Sequence, residues 1–425
     1  MAIYHGVSLE LREEGGNPVT TVSTAVIGLV GTTELSKING VSIPEEGMFL
    51  VCTSGAWAKQ NLTPKNQPIT PLGPVSRSRR PIAPMGAGKE SGLSEFRKNS
   101  LLYALDGIFD QTTTIVVCYV VPNALTTGEN PVFDEAKTMA AVVNAISNLE
   151  NAQAEVGYRP RILLAPGFSD IDKNNTIATK LEEMAGDKKL KAIALHDLKD
   201  PITASNAITK PPVESRRVYA LWPNVLVASD DPLVLREEPL SPRVAGVIAR
   251  SDNDRGWWWS PSNLQINGIV KTVKPIAFSF GEETCLANRL NDSKITTVIR
   301  QDGWRLWGNR TTAAENDPYS FLVVRRTADV ICDSILTSHL WAVDRNINKN
   351  YLDDVVESNN NYLRSLKALG AIMGGKCWVD PEKNPRDNIK QGKVVFDFDF
   401  TANYPAENVH FDAHMVDDYI KEIFK

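Results

Sequence analysis

The chain has 425 residues, enough for about two or three domains with cores of their own. Hydrophobic residues make up 42% and charged residues 23%, and the mean hydropathy is -0.21, a globular balance that excludes wholesale disorder. No apolar run is long enough to span a bilayer, and a net charge of -5 argues against a nucleic-acid coat, which needs a basic surface to neutralise phosphates.

The opening Met1-Ala2-Ile3-Tyr4-His5-Gly6-Val7 reaches Glu10 and Arg12 with no basic segment leading into an apolar core. It does not read as a secretory signal, and the chain is expected to fold in a cytoplasm. Val7, Leu9 and Leu11 alternate with Ser8, Glu10 and Arg12 ahead of Gly15-Gly16, the pattern of a strand with one apolar face. A lone terminal strand is marginal in water, and its unpaired main-chain groups are a template for joining another sheet. Thr21 to Val30 reads as a strand buried on both faces that stops at Gly31, and Phe49 to Thr53 as another. Pro64, Pro68, Pro71, Pro74, Pro81 and Pro84 exclude helix and disfavour a central strand, so residues 63–91 read as an extended surface excursion.

From Leu101 the pattern becomes regular. A helix through Leu101, Leu102, Leu105 and Ile108 leads to a buried strand over Ile115 to Val121, then to a helix with Met139, Ala140, Val143 and Ile146 on one face. Strand Arg161 to Ala165, a helix with Ile177, Leu181 and Met184, strand Ala192 to Leu195, a short helical stretch near Ala204 and strand Arg217 to Trp222 follow. This alternation predicts an α/β domain with a largely parallel sheet. Beyond Asp230 the regularity breaks, with Gly, Trp and Asn punctuating Gly246 to Gly308.

A second unit is expected from Val298, with one helix over Thr327 to Val343 and another carrying Leu352, Val355, Val356, Tyr362, Leu363 and Leu366 that stops at Gly370. Cys377-Trp378-Val379 reads as a strand. Lys393 to Thr401 places Val394, Phe396, Phe398 and Phe400 on one face and Asp397 and Asp399 on the other, and a last strand carries Val409, Phe411, Ala413 and Met415.

Candidates for chemistry are weak. Cys52, Cys118, Cys285, Cys332 and Cys377 are scattered, odd in number and without a Cys-x-x-Cys pair, which argues against a disulfide framework or structural zinc. Pro84 to Glu90 resembles a phosphate loop only loosely: Ala83 stands where the first Gly belongs, Glu90 replaces the magnesium-binding hydroxyl, and no strand precedes it. His410, Asp412 and His414 share a strand face, but exposed side chains opposite Val409, Phe411 and Ala413 are the simpler reading. Asp252 and Asp254 sit between Arg250 and Arg255, where ion pairing is the plainer role than acid/base work. Trp257, Trp258 and Trp259 suit a domain or subunit contact better than a stacking platform. The basic clusters Arg77-Arg79-Arg80, Arg216-Arg217 and Arg325-Arg326 read as solvated or ion-paired surface. No catalytic, cofactor or metal site emerges.

The unusual segments align with one family. Val298-Ile299-Arg300-Gln301-Asp302-Gly303-Trp304-Arg305-Leu306-Trp307-Gly308-Asn309-Arg310-Thr311, then Trp341-Ala342-Val343-Asp344, then Gly392 to Phe400 resemble the tail sheath protein of contractile-tailed temperate phages. His5-Gly6-Val7 with Thr21 to Ala25, Arg159 to Leu163 with Pro166-Gly167, and Gly256-Trp257 with Ser262-Asn263 extend the resemblance nearly end to end. The proline-rich excursion departs from the shorter members.

The resemblance implies a multidomain α/β and α+β chain: an N-terminal arm over 1–18, an outer α/β region over 19–297, an inner, tube-facing α+β domain over 298–391, and C-terminal strands and arm over 392–425. It implies copies stacked as hexameric rings around a tail tube protein, bounded by baseplate and tail terminator proteins. Contraction of such a cylinder drives the tube through an envelope; the chain would be assembled in a bacterial cytoplasm and end in the virion tail. Arms bearing Val7, Leu9 and Leu11, and Val394, Phe396, Phe398, Phe400, Val409 and Phe411, would join subunits by completing neighbouring sheets. Arg345 and Lys349, after the first helix of the inner domain, are the candidate tube contact, with a solvated helix end the equal alternative. Two other readings stay open: the sheath of a pyocin-like injection particle, and a nucleotide- or metal-dependent α/β enzyme.

Overall fold

The computed structural model describes residues 18–63, 89–127, 131–229, 234–417 and 419–420. Val7, Leu9 and Leu11, the cluster Arg77-Arg79-Arg80 and most of the proline-rich excursion lie outside them. The chain enters β1 (Ile27–Thr33), buried throughout, then a small ribbon of β2 (Lys37–Ile38) and β3 (Val41–Ser42), edge strand β4 (Met48–Cys52) and α1 (Gly55–Leu62). The exit of the excursion is β5 (Lys89–Ser91), followed by α2 (Leu93–Lys98) and α3 (Ser100–Phe109). Next come β6 (Val116–Pro122), α4 (Glu135–Ile146), α5 (Ala152–Val156), β7 (Ile162–Leu164), α6 (Thr176–Ala185), β8 (Ile193–Asp197) and β9 (Val218–Leu221).

These strands make an eight-stranded sheet in the order β14-β13-β9-β8-β7-β1-β6-β4, in which β13 (Ile295–Arg300) and β14 (Trp304–Trp307) arrive from much later in the chain. The strands from β13 to β6 in that order are parallel to one another; β14 and β4 are antiparallel edges. Period-two alternation splits the core. Ile27, Leu29, Val116, Cys118, Ile162, Leu164, Ile193 and Leu195 face α3 and its neighbours, while Val30, Tyr119, Val121, Leu163 and Ala194 face α4 and α6. The expected α/β alternation is present.

Several local expectations differ from the structure. No helix forms at Ala204; Ile202 and Ile208 bridge across a tight turn in which Asn206 takes φ +59°, a left-handed conformation that asparagine tolerates. β10 (Val225–Ala228) precedes Asp230, and the irregular region beyond it contains β11 (Val234–Glu238), α7 (Ser241–Arg255) and β12 (Lys271–Thr272). The strands β12, β10, β11 and β5 form a second, four-stranded sheet, so the end of the excursion is a strand. Helix α7 shows no apolar stripe in sequence because it is buried nearly all round. Its Gly246 is needed for packing: a Cβ there would lie 2.6 Å from the Ile108 carbonyl oxygen, so α7 and α3 could not approach this closely with any larger residue.

After α8 (Leu286–Asp292), strand β13 runs across the expected boundary at residue 298 and belongs to the large sheet. The C-terminal unit begins later, with α9 (Leu322–Ser338), a short 3-10 turn at Leu340–Ala342, α10 (Lys349–Ala368), β15 (Ile372–Trp378), α11 (Arg386–Lys390) and β16 (Asp397–Ala402). Helix α9 starts earlier and stops earlier than Thr327 to Val343. Its first turns carry Arg325 and Arg326, which are ion-paired, as one of the two readings had it, but buried instead of lying on the surface. Val330, Ile331, Tyr362, Leu363, Leu366 and Ile372 form the cluster that holds α9, α10 and β15 together.

Candidate assembly surface

β15 and β16 pair antiparallel as a two-stranded ribbon. A register irregularity between Ile372 and Gly374 turns Gly375 and Cys377 to the inner face with Ile372, opposite Phe400, Phe398 and Ala402. Phe398 and Phe400 stack with centroids 6.4 Å apart and pack on the α9–α10 cluster. Val394 and Phe396 precede the strand but are also half-buried, Phe396 lying edge-on to Tyr351 at 6.3 Å. The phenylalanine face therefore lies on the chain's own C-terminal unit. Lys376 and Asp399 face outward, the Asp399 carboxylate accepting from the Lys376 main-chain N–H at 2.9 Å.

The ribbon edges are not equivalent. On α10, Asn360 accepts from the Cys377 N–H (2.8 Å) and donates to the Cys377 carbonyl (3.0 Å), as a neighbouring strand would. Asn384 does the same for Val395, at 2.8 and 2.9 Å. Spacing arguments along the sequence do not reveal these amides. The one available signal is Asn359-Asn360-Asn361 in mid-helix, an unfavourable composition for a helix without a local use.

Beyond Ala402 the chain joins no sheet among the described residues. Arg310 holds Glu407 at 2.7 Å, and Tyr404 meets Phe321 edge-on at 6.0 Å. Past this tether Val409, Phe411 and Met415 are exposed, Phe411 to 85% and Met415 to 98%. The last strand expected around Val409 and Phe411 thus has no partner strand among the described residues. His410 and Asp412 lie 3.1 Å apart on the same exposed tail, and no group of three metal-ligating side chains exists among the described residues.

At the start of the described chain, residues 18–25 run along α9. The Thr20 N–H donates to Ser338 Oγ (3.0 Å), the Val22 N–H donates to Ser334 Oγ (3.1 Å), and Val19 and Val22 pack on the cluster that receives Phe398 and Phe400. The first described residues and the last strand therefore meet on one small unit.

That unit is fastened to the large sheet by charge. Arg161, Lys191 and Arg217 stand at or before the starts of β7, β8 and β9, and α9 presents Asp329 and Asp333 to them. Arg217 pairs with Asp329 at 2.7 Å and Asp187 at 2.5 Å; Asp333 takes Lys191 at 2.8 Å together with Arg161. Burial pushes the Asp333 carboxyl up, but hydrogen bonds from Lys191 and Arg161 and the charges of Arg161 and Arg159 outweigh it and hold it below the usual carboxylate value. Burial likewise lowers Arg217, and Asp329 and Asp187 more than reverse this.

Asp252 does not pair with the arginines beside it. It forms a bidentate pair with Arg326, at 2.7 and 2.5 Å, from 74 residues away. Trp257 is buried in the α9–α10 cluster, which makes it a domain contact. Arg345 lies over the Trp341 ring at 4.9 Å and is exposed, as is Lys349 at the start of α10; Leu336, Leu340 and Val343 are exposed beside them.

The family model described as phage tail sheath protein central domain matches residues 136–312, and that for the phage tail sheath C-terminal domain matches residues 314–415. The junction falls after β14, where the large sheet ends. A Pseudomonas aeruginosa (strain UCBPP-PA14) chain named as a prophage major tail sheath protein is 31% identical, over 100% of this chain and 99% of that one. The tail sheath protein of Escherichia phage P2 is 27% identical over 99% and 97% of the two chains. Among solved structures, the contracted helical sheath of the anti-feeding prophage superposes with a TM-score of 0.66 at 20% identity, over 97% of this chain and 99% of that one, a likeness of fold. With both family domains in order along one chain and a relative matched end to end, this chain belongs to the phage tail sheath protein family.

Proposed function

We propose that copies of this chain stack as hexameric rings wound helically around a separate tail tube protein, between baseplate and tail terminator proteins, and that subunits are joined by exchanged terminal strands. The carrying observation is the β15–β16 ribbon: two strands whose phenylalanine face is packed at home, followed by a tail whose apolar residues are exposed. Strand addition joins chains through main-chain hydrogen bonds, each worth only about 1 kcal/mol net, that keep their geometry while the domains they join rotate. Many such joints around every ring hold the cylinder while other contacts change.

In this reading the part is structural and not catalytic, is assembled in a bacterial cytoplasm and resides in the virion tail. The large sheet and its helices lie outward, and the unit of α9, α10 and the ribbon lies inward on the tube. Val7, Leu9 and Leu11 form the second arm. Removing residues 1–15 is expected to leave the monomer folded, with unchanged circular dichroism, and to abolish striated cylinders in electron micrographs. Normal cylinders from the truncated chain would end the proposal.

The tube contact is assigned to Arg345 and Lys349, exposed beside the apolar Leu336, Leu340 and Val343. Reversing both charges to Glu is expected to weaken co-assembly with the tube by at least about 10-fold at low salt, while sheath polymer still forms without a tube. Co-sedimentation of tube with variant sheath checks this; unchanged pelleting would remove these residues from the contact.

A further inference from the structure

An exposed two-stranded ribbon has two edges, and each is a template for another strand. Here one edge is covered at Cys377. In an antiparallel ladder the N–H and C=O of a residue point to the same side, and successive residues alternate. Cys377 uses both groups on Asn360, so they point away from β16. Its opposite number Phe398 must then also point away from the shared ladder, toward the outer edge of β16, with Phe396 and Phe400 in the same phase. Asn384 agrees independently. It binds both groups of Val395, which are in the phase that faces β15, just where β15 has already ended at Trp378. The row of β15 is thus continued by one side-chain amide and covered by another.

We propose that Asn360 is a specificity-determining residue of the subunit joint: its carboxamide stands in for a strand on the outer edge of β15, so strands from a second copy enter only along Phe396, Phe398 and Phe400 of β16. This rests on the strand-exchange reading above. The occupant is the tail Val409 to Met415 of that second copy. Its apolar residues alternate and are exposed, and, held at Glu407 by Arg310, it does not join its own ribbon. An incoming strand that pairs with the three phenylalanines sets its apolar residues on the same face as their rings. The ribbon then grows to one side only.

Residue-resolved amide hydrogen exchange on full-length chain, as monomer and as assembled cylinder, tests this. In the monomer Cys377 is expected to be protected and Phe398 and Phe400 to exchange fast; on assembly the phenylalanine amides slow by at least about 100-fold and Cys377 changes little. Asn360→Ala is expected to speed Cys377 exchange in the monomer by roughly 10-fold, the size of a lost side-chain bond. Protection gained at the β15 edge on assembly would overturn the lock while leaving strand exchange standing. Protection gained at neither edge would overturn strand exchange itself. Removing residues 409–425 is expected to abolish the protection at Phe398 and Phe400; its persistence in a polymer of the truncated chain would assign the edge to the N-terminal arm instead and overturn the tail as occupant.

Discussion

Asp333→Asn is expected to lower the stability of the folded chain by about 3–5 kcal/mol, because it leaves Arg161, Lys191 and Arg159 without their shared counter-charge at a buried position. Arg161 is buried and Lys191 largely so, and the asparagine that replaces their carboxylate can accept hydrogen bonds but carries no charge. Urea denaturation at pH 7 reads the loss. The pH dependence supplies a second signature. The folded carboxyl is held below its ordinary value of 3.8, so its contribution is fully present above that value and is lost as pH falls through the lower folded one. The wild-type chain should therefore lose this share of stability on strong acidification, and the difference from the variant should shrink. The exposed pair Arg364–Glu357, at 2.5 Å, is the contrast: Glu357→Gln should change stability by less than about 1 kcal/mol. Equal effects at the two sites would mean that the α9 network does not fasten the C-terminal unit to the sheet.

Gly375→Val is expected to abolish sheath assembly while the large sheet stays folded. A Cβ at residue 375 would stand 2.7 Å from the Asp399 carbonyl oxygen and 3.3 Å from Leu363, between the ribbon and α10. The nearest neighbour is main chain and cannot swing aside, so β16 must shift and take its phenylalanines with it. Gly374→Ala, one residue earlier, meets nothing within 4 Å and should assemble normally. Sedimentation and electron microscopy of the pair of variants separate a ribbon-specific defect from a general one. Cylinders from the valine variant would mean that assembly does not need the β16 position described.

The parts of this fold that were legible in sequence are those whose periodicity meets a single environment. Buried parallel strands such as Val116 to Val121 and one-faced helices such as α6 and α10 write their surroundings directly into their residues. Helix α7 did not, because enclosure on nearly all sides erases the stripe, and Arg243 and Ser251 look polar until their buried partners are known. The unit boundary was misplaced because Val298 begins a motif that carries the family resemblance yet lies inside a strand of the large sheet. Ion pairs failed for another reason: Asp252 has arginines two and three residues away but bonds Arg326, and nothing in local sequence ranks a distant partner above a near one. The phenylalanine face was readable from alternation alone, whereas the amide closing the opposite edge depends on how a helix passes a strand.

The first described residues run along α9, and the last strand packs on the same small cluster. A pull on either end of the chain is therefore taken up at one point and passes to the large sheet through the carboxylates of α9 and the strand-start cations. Strands lying side by side in a joint and drawn along their length are loaded in shear, so their hydrogen bonds resist together instead of parting one after another. In a cylinder that shortens abruptly, the arms would act as tendons inserted on one bony knob, and the wide α/β body would be carried by that knob without bearing tension itself.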